Sequence, residues 1–193
     1  MSFDTAFIAF PQLETERLIL RELRLDDAPE MFVNFSDVDV TRQLGDEPIH
    51  TSVEETRNLL RQLHGWHAQK VGIRWGITLK EGDDKIIGTL GFHRFDHASQ
   101  KLEIGYELNK AYWGQGIMSE AVLAIMNYGF NMMKALRIEA GTDGINVRSH
   151  KLLKRLGFKQ EACLRRRVYY RGTYWDEYWF GMLVEEYREL YEK

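Results

Sequence analysis

In the stretch YWGQGIMSEA, Tyr112 to Ala121, two glycines one residue apart stand just ahead of a run of helix-forming residues. A helix starting there leaves its first N–H groups without carbonyl partners, and its dipole favours an anion by about 0.3–2 kcal/mol. Gly114 and Gly116 let bare backbone come close to a phosphate, although glycine pairs also serve simply as tight turns. Carboxylates suited to proton abstraction flank the turn: Glu103 and Glu107 before it, Glu139 beyond the helix. The competing role for such residues is a solvated partner in a strand pair.

Two nucleotide-binding patterns fit the turn poorly. A dinucleotide fingerprint wants a third glycine where this chain has Ser119, and it follows a strand that is apolar on both faces. Glu103 and Glu107 break that second requirement. A Walker loop fails because no Gly-Lys-Ser/Thr follows. What remains is a pyrophosphate held after a half-polar strand.

The elements that must position these groups are legible from periodicity. RLILRELR, Arg17 to Arg24, alternates apolar and charged residues as a half-buried strand does. LDDAPEMFVNF follows as a helix with Asp26 or Asp27 as N-cap and Pro29 in its first turn. Ser52 and Glu55 have capping-box spacing ahead of a second helix. RWGITL and KIIGTLGFHRF read as strands joined by the turn KEGDDK, and KLEIGYELN is the next strand. A largely buried helix is expected from about Ser119 to Met133. LRIEAGT is a further strand, SHKLLKRLGF a short helix ended by Gly157, and two last strands flank a turn at Arg171 to Thr173. The pattern predicts one mixed α/β domain over residues 1–193, with antiparallel hairpins early and a strand–helix–strand–helix unit in the middle.

Composition narrows the function classes. A formal net charge of −3 gives no global attraction to nucleic acid or anionic membrane. The single Cys163 excludes an internal disulfide framework and a multi-cysteine zinc site. No signal-peptide pattern and no run of membrane-span length is visible, so a cytoplasmic protein is expected. His64 with His67, and His93 with His97, lack a convincing third metal ligand, and no metal is expected.

LEIGYELNKAYWGQGIMSEAV, followed by NVRSHKLLKRLGFKQEACLR, resembles the acetyl-CoA-binding core of the GNAT N-acetyltransferases. LETERLILREL near the start and YRGTYWDEYWFGMLVEEY near the end are similar to the branch containing the Rim-type enzymes, which acetylate ribosomal-protein N-termini. The family's central motif is Q/R-x-x-G-x-G/A; this chain keeps Gly116 and departs with Trp113 and Met118 at the outer positions.

The resemblance implies the GNAT acyltransferase fold, a mostly antiparallel sheet splayed around acetyl-CoA. It assigns the pyrophosphate to the turn and helix start, Trp113, Gly114, Gln115, Gly116, Ile117, Met118 and Ser119. It assigns the pantetheine arm to Tyr106, Glu107, Leu108 and Asn146, with a strand bulge near Gly105 and an oxyanion donor N–H near Leu108. Glu103 is the first candidate for the general base, with Glu107 and Glu139 as alternatives. The tyrosine that many members use to protonate the leaving thiolate is missing, Leu153 standing near its place. In the Rim-type branch a serine is implicated instead, which points to Ser149, a residue that also suits the N-cap of its helix. Lys151 and Lys154 are candidates for CoA phosphates or for a solvated face.

The acceptor implied is an amine, most naturally the N-terminal α-amine of a protein or peptide. An α-amino group titrates near 7.7–8.0, against about 10.4 for lysine, so it is the easier one to deprotonate. A small-amine acetyltransferase and a CoA-binding module without turnover are the other readings. No direct contact with nucleic acid or membrane is expected, and the oligomer is a monomer or homodimer. The aromatic residues Tyr169, Tyr170, Tyr174, Trp175 and Trp179 crowd the final hairpin, and Asp176 beside them is a candidate grip for the amine.

Overall fold

The computed structural model describes residues 7–42, 44, 48–170 and 172–192. Arg171, in the expected final turn, lies outside the described residues. The strands are β1 (Leu13–Glu14), β2 (Leu18–Glu22), β3 (Ile73–Leu79), β4 (Gly88–Asp96), β5 (Lys101–Leu108), β6 (Arg137–Asp143), β7 (Lys159–Tyr170) and β8 (Thr173–Leu183). The helices are α1 (Ala28–Phe35), α2 (Val38–Thr41), α3 (Val53–Ala68), α4 (Ile117–Asn127), α5 (Val147–Arg155) and α6 (Val184–Tyr191). The strands form one sheet in the order β1-β2-β3-β4-β5-β6-β8-β7. The β5–β6 pair is parallel and the other neighbours are antiparallel.

Strand alternation sends side chains to two different layers. Ile73, Trp75 and Ile77 of β3, Leu102 and Ile104 of β5, and Ile138 of β6 bury against Ala121, Val122 and Ile125 of α4. Each such side chain contributes about 1.5–3 kcal/mol by leaving water. Gly76 looks the other way: a Cβ there would lie 2.4 Å from Ile86 Cδ1 and 2.8 Å from Leu23 Cδ2. Those residues belong to a second cluster with Ala28, Met31 and Phe35 of α1 and Leu60 and Leu63 of α3. Glu103, Gly105 and Glu107 alternate with the core residues of β5 and therefore face this second, more polar side.

The pairing of β5 with β6 is short, covering only Lys101↔Arg137, Leu102↔Ile138 and Glu103↔Glu139. β5 then follows β4 as far as Leu108, and β6 follows β8 as far as Asp143. The sheet opens between them. Asn109 donates its N–H to Ile87 across β4 at 2.8 Å, so alternation aims the N–H and C=O of Tyr106 and Leu108 at the gap.

Local details depart from the sequence reading for physical reasons. No bulge occurs at Gly105; the register is regular from Gly88↔Leu108 to His93↔Glu103, and the irregularity falls between His93 and Asp96, where Arg94 has φ 50°. Gly105 instead leaves room for His93 and Arg74, whose atoms a Cβ would meet at 3.1 and 3.4 Å. Asp27 stands at the N-cap of α1 without capping it, because its carboxylate holds Arg21 at 2.8 and 2.9 Å and Arg24 N at 2.6 Å. α4 starts two residues earlier than expected and ends in a π-helical turn, Tyr128–Met132. α6 follows β8 with no turn residue to announce it, and Glu186 bonds Leu183 N at 2.9 Å to start it. Among the described residues no helix is long and apolar enough to cross a membrane.

Candidate active site

The glycine turn is a backbone cradle. Gly114 and Gly116 have φ of 76° and 78°, a left-handed conformation that side-chain-bearing residues adopt at a cost. Space is not the reason, since a Cβ at Gly114 would meet nothing within 4 Å. Gly116 is the N-cap of α4 and offers no side-chain cap, while the first helical bond runs from Glu120 N to Gly116 O at 3.1 Å. The N–H groups of Ile117, Met118 and Ser119 precede that bond and have no helical carbonyl to reach. An anion fits such a cradle.

A cleft of about 350 Å³ runs from this cradle to the gap. Trp113, Gly114, Gly116, Ile117, Met118 and Ser119 line it, as do Tyr106, Glu107, Leu108, Asn146 and Ser149. Gln115 departs: its side chain turns back to Ala111 O at 3.0 Å and its carbonyl accepts Arg17 at 3.1 Å. Trp113 closes one wall by donating its indole N–H to Leu108 O at 2.8 Å.

Cations beyond the two lysines named from the sequence gather at the cleft. Arg148 stacks 4.3 Å above the Trp113 ring, and Arg155 donates to Ser119 Oγ at 2.5 Å. Both line the cleft with Lys151, whereas Lys154 does not. The signal for Arg148 and Arg155 was the α5 periodicity: with Lys151 they recur at three- and four-residue spacing on one helix face.

A second cavity, about 670 Å³, lies beyond the gap on the polar side of the sheet. Leu44, Tyr106, Asn146 and Ser149 line both cavities and so mark where they meet. Asn146, rather than Ser149, caps α5, accepting Ser149 N at 3.0 Å. Ser149 is thereby freed from the capping role and its Oγ meets the Tyr106 hydroxyl at 2.6 Å. Enclosure holds the Tyr106 hydroxyl far above its ordinary pKa, so it keeps its proton, although the Ser149 contact opposes the shift.

The three candidate bases are not equivalent. Glu103 lines the second cavity, but His93 Nε2 at 3.2 Å and Arg94 Nη1 at 3.1 Å engage it. Burial would raise its carboxyl, and the His93 and Arg94 partners outweigh burial and hold it below the ordinary value. Glu107 is sealed on Arg74 at 2.5 Å and Thr89 at 2.6 Å, and burial raises it. Glu139 is bridged by Lys101 at 2.7 Å and Arg137 at 3.0 Å, away from the cavity lining. Asp176 also misses the cavity: it accepts Arg166 N at 2.8 Å and shapes the β7 irregularity. Of the hairpin aromatics, Tyr169 reaches the cavity and packs at a tilt on Tyr174, ring centroids 4.9 Å apart. Cys163 is exposed on β7, 3.9 Å from Asp176. Sequence reading missed Asp143 and Glu177, which line the cavity from β6 and β8.

A backbone cradle open to an anion, a cleft along a splayed strand and a second cavity beyond it are compatible with an acyl-CoA-dependent transferase. Residues 17–159 match the family model described as the acetyltransferase (GNAT) domain, and the chain belongs to that family. It is an N-acetyltransferase. It is 38% identical over 167 residues to an uncharacterised N-acetyltransferase, YoaA, of Bacillus subtilis, covering 86% of this chain and 93% of that one. The ribosomal-protein-serine acetyltransferase of Escherichia coli is 27% identical over 103 residues, 53% of this chain and 58% of its own. The solved structure of RimL, a ribosomal alpha-N-protein acetyltransferase in complex with coenzyme A, superposes with a TM-score of 0.82 at 22% identity, covering 91% and 99% of the two chains.

Proposed function

We propose that this protein transfers the acetyl group of acetyl-CoA to the N-terminal α-amine of a protein or peptide, by direct attack in a ternary complex. The observation that carries this is the wide acceptor cavity meeting the donor cleft at Tyr106, Asn146 and Ser149. Its rim includes Arg94, 72% exposed, and Arg167, 68% exposed, so the cavity opens onto solvent across a span suited to a chain end. The serine-acetyltransferase and RimL likenesses point the same way. The alternative is a small amine, favoured by the carboxylates Glu103, Asp143 and Glu177 on the cavity lining.

The donor supplies an acetyl thioester. The turn from Trp113 to Ser119 holds its pyrophosphate, with Arg148, Lys151 and Arg155 adding charge. Leu108 N–H, aimed at the gap, polarises the thioester carbonyl. Tyr106 donates its hydroxyl hydrogen to Ser149 Oγ, which turns Ser149's own proton toward the sulfur. Ser149 then protonates the leaving thiolate, and the proton shed by the nitrogen as it becomes an amide restores the balance. Glu103, named first as base, sits within this cavity as an ionised carboxylate.

The test is acetyl-CoA turnover, read as free thiol, against N-terminal peptides and a panel of polyamines, amino acids and aminoglycosides. The expected result is kcat/KM at least ten-fold higher for peptides. A preference for a small amine transfers the assignment to the alternative.

A further inference from the structure

We propose that Asp143, at the end of β6, receives the acceptor's ammonium group and takes its proton, leaving Glu103 as a fixed charge. This rests on the acetyltransferase reading and deepens it on the acceptor side. Asp143 stands on the β6 edge of the gap and shares the cavity lining with Tyr106, Asn146 and Ser149, the residues at the junction. It is 5% exposed, yet its Oδ2 meets no hydrogen-bond donor. Glu103 and Glu139 are each held by two protein partners, while Glu107, whose Oε2 holds Arg74 and Thr89 and whose Oε1 is also unpaired, does not line this cavity. A buried polar oxygen left unpaired costs about 1–3 kcal/mol, and a substrate ammonium ends that cost once the side chain turns its Oδ2, enclosed in the resting structure, toward the cavity.

The surroundings suit a base. Glu177 of β8 stands in register with Asp143, His150 of α5 lies nearby, and Arg167 of β7 leans on Glu177 at 3.7 Å. Burial raises the Asp143 carboxyl above its ordinary value; its own backbone N–H and His150 oppose the rise and Glu177 adds to it. A carboxylate so placed has more affinity for a proton than Glu103, whose partners hold it low. The step balances. The ammonium gives one proton to Asp143 Oδ2, and the freed lone pair forms the C–N bond at the thioester carbon as the C–S bond breaks. The nitrogen sheds its second proton, sulfur gains one through Ser149, and Asp143 returns its proton to solvent.

The experiment measures turnover of an N-terminal peptide from about pH 5 to about pH 9 for wild type, Asp143→Asn, Asp143→Glu and Glu103→Gln. Alongside it, calorimetry measures binding of the same peptide to CoA-saturated protein. Asp143→Asn is expected to lose kcat by about 10²–10⁴-fold, to lose the acidic limb of the kcat profile and to bind the peptide more weakly. Its affinity for CoA should hold, and Asp143→Glu should restore part of the rate. Glu103→Gln should keep the acidic limb. Should Asp143→Asn fail to fold, Glu103→Gln decides: an acidic limb lost in that active variant overturns the assignment. A folded Asp143→Asn protein with kcat within a few-fold of wild type and the limb intact does the same. A wild type inert toward every amine overturns the function itself, and this inference with it.

Discussion

The first cleft presents open backbone groups, the N–H groups after Gly116 and the gap-facing edge of β5 at Tyr106 and Leu108, beside the side chains of Arg148, Lys151 and Arg155. The second cavity instead draws on side chains from separate strands, Arg74 of β3, His93 of β4, Glu103 of β5, Asp143 of β6, Arg167 of β7 and Glu177 of β8. Backbone groups are fixed by local conformation, so one short motif specifies them. Side-chain cavities depend on register and on which residues are already paired. In the function proposed above, the first region serves a constant donor and the second a particular acceptor.

The largest expected effect falls where the two regions meet. Ser149→Ala should lower kcat by about 10²–10⁴-fold while the KM for acetyl-CoA stays within a few-fold, measured by thiol release. A large KM change with kcat intact would make Ser149 a binding residue and blur the division.

Next comes the donor side alone. Gly116→Ala forces a Cβ into φ 78°, costing about 1–2 kcal/mol, so calorimetric affinity for CoA should fall about ten-fold. Peptide affinity of the folded variant should hold, because no acceptor residue touches that turn.

A smaller effect concerns the clasp behind the turn. Glu120 accepts Thr15 Oγ1 at 2.5 Å and Arg17 Nε at 2.7 Å, while Arg17 also reaches Gln115 O. Burial would raise Glu120, and the Thr15 and Arg17 donors outweigh it and hold the carboxyl below 4.5. A depressed carboxylate stabilises the fold above its unfolded pKa, and that stability drains away as pH falls through the folded value. Glu120→Gln should thus cost about 1 kcal/mol at neutral pH, with the difference in Tm closing below about pH 4.

The smallest effect is expected at Asp176→Asn. Its carboxylate ties Arg166 N within the hairpin, outside the acceptor cavity, so kcat/KM should stay within about two-fold. A larger loss would extend the acceptor region onto the hairpin tip.

Much of the donor side was legible in the sequence, because a left-handed glycine turn, a helix start and a half-polar strand are local patterns with their own residue signatures. Trp113 to Ser119 line the cleft with the exception of Gln115, and Tyr106, Glu107, Leu108 and Asn146 join them. The sequence left Ser149 open between a site role and the N-cap of α5, and the fold gives the cap to Asn146 and the Tyr106 contact to Ser149.

The acceptor side was less legible. Glu103, Glu107, Glu139 and Asp143 are all strand or strand-end carboxylates in the sequence. Their partners come from Arg74, Thr89, His93, Arg94, Lys101 and Arg137, on strands whose neighbours only the sheet order defines.

The sequence by itself determined the periodic elements, the glycine turn and the likeness to GNAT acetyltransferases, since each is written in residues close along the chain. The tertiary structure alone decided how far β5 and β6 pair before parting, which carboxylates are held by partners, and that Asp143 beside the second cavity keeps an unpaired oxygen. Those outcomes depend on long-range pairing and desolvation, which no single stretch of residues encodes.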